Sequence, residues 1–110
     1  MSIKADISEM TIKDIEKVVT KTEALYGTID TVICCAAISI PKLFLSTDFK
    51  EYEHHMNLNF FGVAKFVHVI AKRWVNQRKK GRFVLIGDPI ASHYVMPAMS
   101  AYSCSKSALE

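Results

Sequence analysis

Apolar residues recur along this chain in two ways, at helical spacing and as short unbroken runs, and the switches between the two mark out its elements. Ile12, Ile15, Val19 and Tyr26 lie at helical spacing behind Thr11-Ile-Lys-Asp14, a run with capping-box character, and Gly27 closes the pattern. After the turn to Asp30, Thr31-Val-Ile-Cys-Cys-Ala-Ala37 reads as a buried strand. Asp48 or Thr47 is placed to cap a short helix through Met56. From Asn59 to about Val75 a longer helix is apolar on most faces, with Lys65, His68 and Lys72 as a narrow polar stripe. Such a helix must be buried on more than one side. Phe60, Val63, Val67, Ile70 and Trp74 therefore face either a partner subunit or the chain's own core. Gly81-Arg-Phe-Val-Leu-Ile-Gly87 is a second buried strand behind a basic turn. A last helix opens near Tyr102 and reaches Ser107-Ala-Leu-Glu110 with no Gly, Asn or Pro stop signal. Helices alternating with short apolar strands predict an α/β protein with a parallel sheet.

Tyr102-Ser-Cys-Ser-Lys106 carries the candidate chemistry. Residues four apart on a helix share a face at about 5–6 Å, so the Lys106 charge is expected to lower the Tyr102 pKa towards neutrality. A phenol tuned in this way trades a proton with a carbonyl or alcohol oxygen. The pair alone is a weak signal, since the same spacing often marks a solvated helix face.

The order of motifs strengthens it. From about Asp6 to Glu110, the strand ending Cys34-Cys-Ala-Ala37, the helix opening Asn59-Phe-Phe-Gly62, the strand ending at Gly87 and the Tyr-x-x-x-Lys motif resemble the short-chain dehydrogenase/reductase family. The resemblance implies a partial Rossmann-type, doubly wound parallel sheet and an NAD(P)(H)-dependent oxidoreductase acting on a small carbonyl or alcohol. It implies that Tyr102 is the catalytic acid/base, that Lys106 tunes it and holds the nicotinamide ribose, and that the Asn59 backbone anchors a relay water. Asp6, Cys35, Ala36 and Ala37, with Tyr102 and Lys106, match cofactor-binding positions. NADP(H) is favoured over NAD(H), and a homodimer or homotetramer is expected. The stretches Cys35-Ala36 and Gln77-Arg-Lys-Lys-Gly-Arg-Phe-Val84 resemble the 3-ketodihydrosphingosine reductases, which implies a long-chain keto base as substrate and a place at the cytosolic face of the endoplasmic reticulum. An unassigned carbonyl or hydroxysteroid-type substrate in the cytoplasm is the alternative.

Two departures qualify these expectations. The strand that should end in a catalytic serine reads Gly87-Asp-Pro89, with Ser92 the nearest hydroxyl. An ionised Asp88 accepts hydrogen bonds only and opposes a developing oxyanion. The only glycines are Gly27, Gly62, Gly81 and Gly87, so the Gly-rich turn that cradles a cofactor pyrophosphate is absent. Residues 1–110 are therefore expected to be the central part of one NAD(P)-binding domain without the N-terminal βαβ phosphate-binding unit, poorly stable and inactive alone. A complete small α/β domain is the alternative. A catalytically inactive product acting through protein contacts is the rival to an enzyme.

Composition bounds the rest. Half of the 110 residues are hydrophobic and 23% charged, an ordinary globular balance. The net charge of +3 owes much to Lys72, Arg73, Arg78, Lys79, Lys80 and Arg82. These complement a helix C-terminus, and a nucleic-acid surface is not expected; contact with an anionic membrane leaflet is left open. Three cysteines suit a reducing compartment and read as small buried hydrophobes. No Cys-x-x-Cys or His-x-x-x-His spacing marks a metal site, and His54, His55, His68 and His93 read as surface or loop residues.

Overall fold

The computed structural model describes residues 2–110. The first helix, α1 (Ile12–Tyr26), begins where Thr11 and Asp14 form the expected capping box and ends at Gly27, whose φ of 82° suits a residue without a Cβ. Strand β1 (Thr31–Cys34) follows. It is shorter than the apolar run, so Cys35–Ala37 leave the strand and enter the loop after it. Helix α2 (Phe49–Met56) starts on a capping box of Asp48 and Glu51.

No break separates α2 from the longer helix, which departs from the expected start at Asn59. Met56, Gly62 and Val63 keep helical dihedrals through a π-helical turn over Asn57–Gly62, and α3 (Val63–Asn76) continues from it. Such wide turns often mark functional positions, and this one contains Asn59. Strand β2 (Arg82–Leu85) pairs with β1 in parallel, Thr31 opposite Arg82 through Cys34 opposite Leu85. A 3₁₀ turn at Pro89–Ala91 and helix α4 (Ser100–Leu109) complete the described elements.

The core lies between α1, α3 and one face of the sheet. Met10, Ile15 and Val19 meet Val69, Ile70 and Trp74, with Val32 and Phe83, a register pair, beneath them. Burying each such large apolar side chain contributes about 1.5–3 kcal/mol. The Trp74 ring lies 4.6 Å from that of Phe83, tilted by 42°, and its indole N–H donates to the Ile29 carbonyl at 2.7 Å. Val63, Ile70 and Trp74 thus serve the chain's own core, while Phe60 and Val67 are half-buried. Arg73 pairs with Glu23 across the two helices and Lys79 with Asp30, so part of the basic cluster is tied within the molecule.

Successive strand residues face opposite ways, and the second sheet face is open. Ile33 is 63% and Val84 37% exposed. Helix α4 packs against α2, the π-helical turn and the Pro89–Ala91 turn. Tyr52 donates to Ser100 Oγ at 2.8 Å across that seam. No described helix is long and apolar enough to cross a membrane.

Candidate active site

The site forms where the two strands end. The Ile86 N–H donates to the Cys34 carbonyl at 3.2 Å, which keeps the chain beyond β2 beside the end of β1. Asp88 then adopts extended backbone and caps the Pro89–Ala91 turn, Oδ1 accepting from the Ile90 N–H at 3.0 Å. Helix α4 brings Tyr102 and Lys106, only 8% and 3% exposed, to this corner one turn apart. The Tyr102 hydroxyl donates to Asp88 Oδ2 at 2.6 Å. Lys106 Nζ donates to the Ile86 carbonyl at 2.7 Å and lies 6.0 Å from the centre of the Tyr102 ring.

Asn59 locks three elements behind this pair. Its Oδ1 accepts from the Ile38 N–H at 2.8 Å, and its Nδ2 donates to the Ile38 carbonyl at 3.0 Å and to Ser105 Oγ at 2.8 Å. Ser105 in turn donates to the Tyr102 carbonyl at 2.7 Å. Loop, π-helical turn and α4 are thereby fixed by one amide side chain. Among the described residues, no buried side-chain nitrogen or oxygen lacks a partner.

The electrostatics run opposite to the sequence expectation. Instead of falling towards neutrality, the Tyr102 pKa is pushed up to about 12, by burial first and then by the hydrogen bond to Asp88 and its negative charge. The hydrogen bonds from Tyr102 and the Ile90 N–H, with the Lys106 charge, hold Asp88 below the usual carboxylate range. Spacing put Lys106 on the right face, but the carboxylate touches the phenol and the ammonium does not. Of the two candidates for the serine's place, Asp88 meets Tyr102, whereas Ser92 is exposed with Oγ 2.8 Å from His93 Nδ1.

The cofactor candidates are arranged less tightly. Cys35, Ala36 and Ala37 are exposed just past β1. Cys35 and Ala36, with Ile7, Val32 and Phe66, line an apolar cleft of ≈ 300 Å³. Asp6 is exposed and tied to its own turn, accepting from the Ser8 N–H at 2.9 Å and the Ser8 hydroxyl at 2.7 Å, which holds its pKa low. A larger cavity of ≈ 530 Å³ lies beside α4, walled by Phe44, Ile90, Tyr94, Met96 and Cys104. Ile90, two residues from Asp88, connects it to the Tyr102 corner.

Two further expectations need correction. Cys35 and Cys104 are exposed and Cys34 half-buried, because β1 ends early and Cys104 lies on the outer side of α4. Partial burial and the neighbouring Cys35 raise the Cys34 thiol pKa. His55 is fully buried, not on the surface. Its Nδ1 lies 2.6 Å from the Glu51 carbonyl and its Nε2 accepts from the Ile40 N–H at 3.2 Å, so it fastens the loop after β1 as Asn59 does two residues earlier. Neither His55 nor Ser105 was marked by the sequence, since their partners come from the loop after β1 and from the π-helical turn. No group of three His, Cys, Asp or Glu among the described residues could hold a metal.

Comparison with known proteins agrees with this architecture. Over 110 residues the chain is 29% identical to an uncharacterized oxidoreductase of Schizosaccharomyces pombe, covering 100% of this chain and 37% of that protein. It is 28% identical over 110 residues to a 3-ketodihydrosphingosine reductase of Bos taurus, covering 99% of this chain and 32% of that one. The crystal structure of a gluconate 5-dehydrogenase from Burkholderia cenocepacia, in complex with NADP and tartrate, matches with a TM-score of 0.82 at 20% identity, over 96% of this chain and 40% of that chain. That likeness is one of fold, a Rossmann-type α/β arrangement. The chain spans well under half the length of these proteins. The family model described as short chain dehydrogenase matches residues 1–110, and with the strand and helix order above it the chain belongs to the short-chain dehydrogenase family.

Proposed function

We propose that this chain carries the proton-transfer half of a carbonyl reductase active site, using NADP(H) in preference to NAD(H). The observation that carries the reading is the buried Tyr102 hydroxyl, backed by Lys106 and held at the carboxyl ends of two parallel strands, where sheets of this kind take their ligands. The residues fit the nicotinamide end of such a cofactor. Lys106 keeps two of its three N–H donors for a ribose, and Cys35 and Ala36 are small residues lining an apolar cleft. The bound dinucleotide supplies hydride, and nothing in residues 2–110 forms its phosphate cradle.

Tyr102 donates its proton to the substrate oxygen. With the pKa held near 12, the phenol is protonated throughout the neutral range, which favours reduction; alcohol oxidation would need the phenolate beforehand. Lys106 stabilises the phenolate left behind, and Asn59 with Ser105 holds α4 in register with the strand ends. The family comparison with a 3-ketodihydrosphingosine reductase and the apolar cavity beside α4 support a long-chain keto base as substrate. A place at the cytosolic face of the endoplasmic reticulum and a homodimer or homotetramer go with that reading. Exposed Phe61 and Val75 on the long helix favour a partner there.

The test is NADPH oxidation with a carbonyl substrate. Tyr102→Phe is expected to abolish turnover while leaving NADPH affinity unchanged, and retained turnover would sink the assignment. Asp88 beside the phenol favours a second reading, a non-catalytic family member, which wild-type NADPH binding with no turnover of any carbonyl would support.

A further inference from the structure

We propose that His55 is a positioning residue, acting through the Ile40 N–H to hold the loop after β1, and with it Cys35–Ala37, against the nicotinamide end of the cofactor. The proposal rests on the reductase reading above. His55 is 0% exposed and Asn59, four positions later, is 1% exposed, and the two lie one turn apart on a continuous helical run. The imidazole sits between two backbone groups of opposite kind. The Glu51 carbonyl, 2.6 Å from Nδ1, can only accept, and the Ile40 N–H, 3.2 Å from Nε2, can only donate. These partners select the ring with its proton on Nδ1. An apolar side chain would fill the same buried space without needing partners. What the ring adds is an acceptor aimed at the loop.

That loop leaves the sheet at Cys34, whose carbonyl is held by the Ile86 N–H. Asn59 grips it at Ile38, through both the N–H and the carbonyl, and His55 grips it at Ile40. One anchor would leave a pivot; the second, two residues further on, fixes the direction of the chain as well as its place. Cys35, Ala36 and Ala37 are strung between the end of β1 and this pair of anchors. Being exposed, they have little packing of their own to hold them. On the far side, the Lys42 N–H donates to the Ala98 carbonyl at 2.7 Å, just ahead of the helix that carries Tyr102. His55 therefore stands between the cofactor edge of the site and the approach to α4. Loss of its acceptor frees the loop while Asn59 and Ser105 still hold Tyr102 in place, so the effect falls on cofactor binding rather than on proton transfer.

The experiment measures the NADPH Kd by fluorescence titration, with amide exchange at Ile40, in the purified protein and two polar variants. His55→Gln carries its amide oxygen out to where Nε2 lies and keeps an acceptor for Ile40. His55→Asn reaches only as far as Nδ1, so it keeps a donor for Glu51 and loses Ile40. His55→Asn is expected to speed exchange at Ile40 and raise the NADPH Kd about tenfold, and His55→Gln to stay within about twofold of wild type in both. With a carbonyl substrate the same order should appear in the KM for NADPH and not in kcat. Faster exchange at Ile40 with an unchanged Kd would overturn the proposal, as would a His55→Gln variant that binds as weakly as His55→Asn. Wild-type protein that binds NADPH but turns over no carbonyl would sink the reductase reading, while the Kd series would still decide the role of His55. No NADPH binding by the wild type would overturn both.

Discussion

Tyr102 and Asp88 show how a contact of 2.6 Å overrides a motif. The Tyr-x-x-x-Lys spacing correctly places phenol and ammonium on one helical face, yet the phenol's pKa is raised, by burial first and then by a carboxylate 14 positions earlier. Ultraviolet titration of the four tyrosines should find one ionising near pH 12, and Asp88→Asn should bring it down towards the ordinary phenol value of about 10. An unchanged late titration in the variant would show that Asp88 is not a cause. The pair also fixes a pH window. The Tyr102 pKa is raised by folding, so its contribution to stability is full below about pH 10 and is lost as pH rises towards about 12. The Asp88 pKa is lowered by folding, so its contribution is present above about pH 4 and is lost as pH falls through its depressed value. Between those limits this pair should leave denaturant midpoints flat, and Asp88→Asn should remove the acid-side loss.

The decisive element is the continuous helical run from Phe49 to Asn76 with its π-helical turn. Hydrophobic spacing located both halves, but the join was not legible, because a wide turn leaves no residue signature and Asn59 reads as a helix start. What that turn achieves is measurable. Asn59→Leu would strand the Ile38 N–H and carbonyl and remove the Ser105 partner, a loss of about 2–4 kcal/mol in denaturant unfolding. Faster amide exchange at Ile38 should accompany it; an unaltered midpoint would mean that water replaces the amide. Two glycines enforce close approach. A Cβ on Gly62 would lie 3.0 Å from Ile7 Cγ1 and 3.1 Å from the Ile7 carbonyl oxygen, and one on Gly81 would collide with the Trp74 indole. Gly81→Ala should cost about 1–3 kcal/mol and shift the fluorescence of the single tryptophan.

At the scale of the whole molecule, the main apolar cluster sits on one side of a two-stranded sheet, and the other side stays apolar and open among the described residues. Exposed surface of this kind drives association. The chain at rising concentration should self-associate in sedimentation, and Ile33→Thr should weaken that without lowering the denaturant midpoint by more than about 0.5 kcal/mol. A midpoint that drops further would place Ile33 inside a packed interface. The sequence by itself determined the element order, both strands and the cap of α1, because each rests on local hydrogen bonding or on apolar spacing along neighbouring residues, and the order of its motifs carried the family resemblance. Only the tertiary structure decided which charge touches Tyr102, that His55 and Ser105 are buried partners, and that the cysteines lie towards solvent. Those outcomes depend on groups brought together from distant positions, and such contacts leave no periodic trace in the chain.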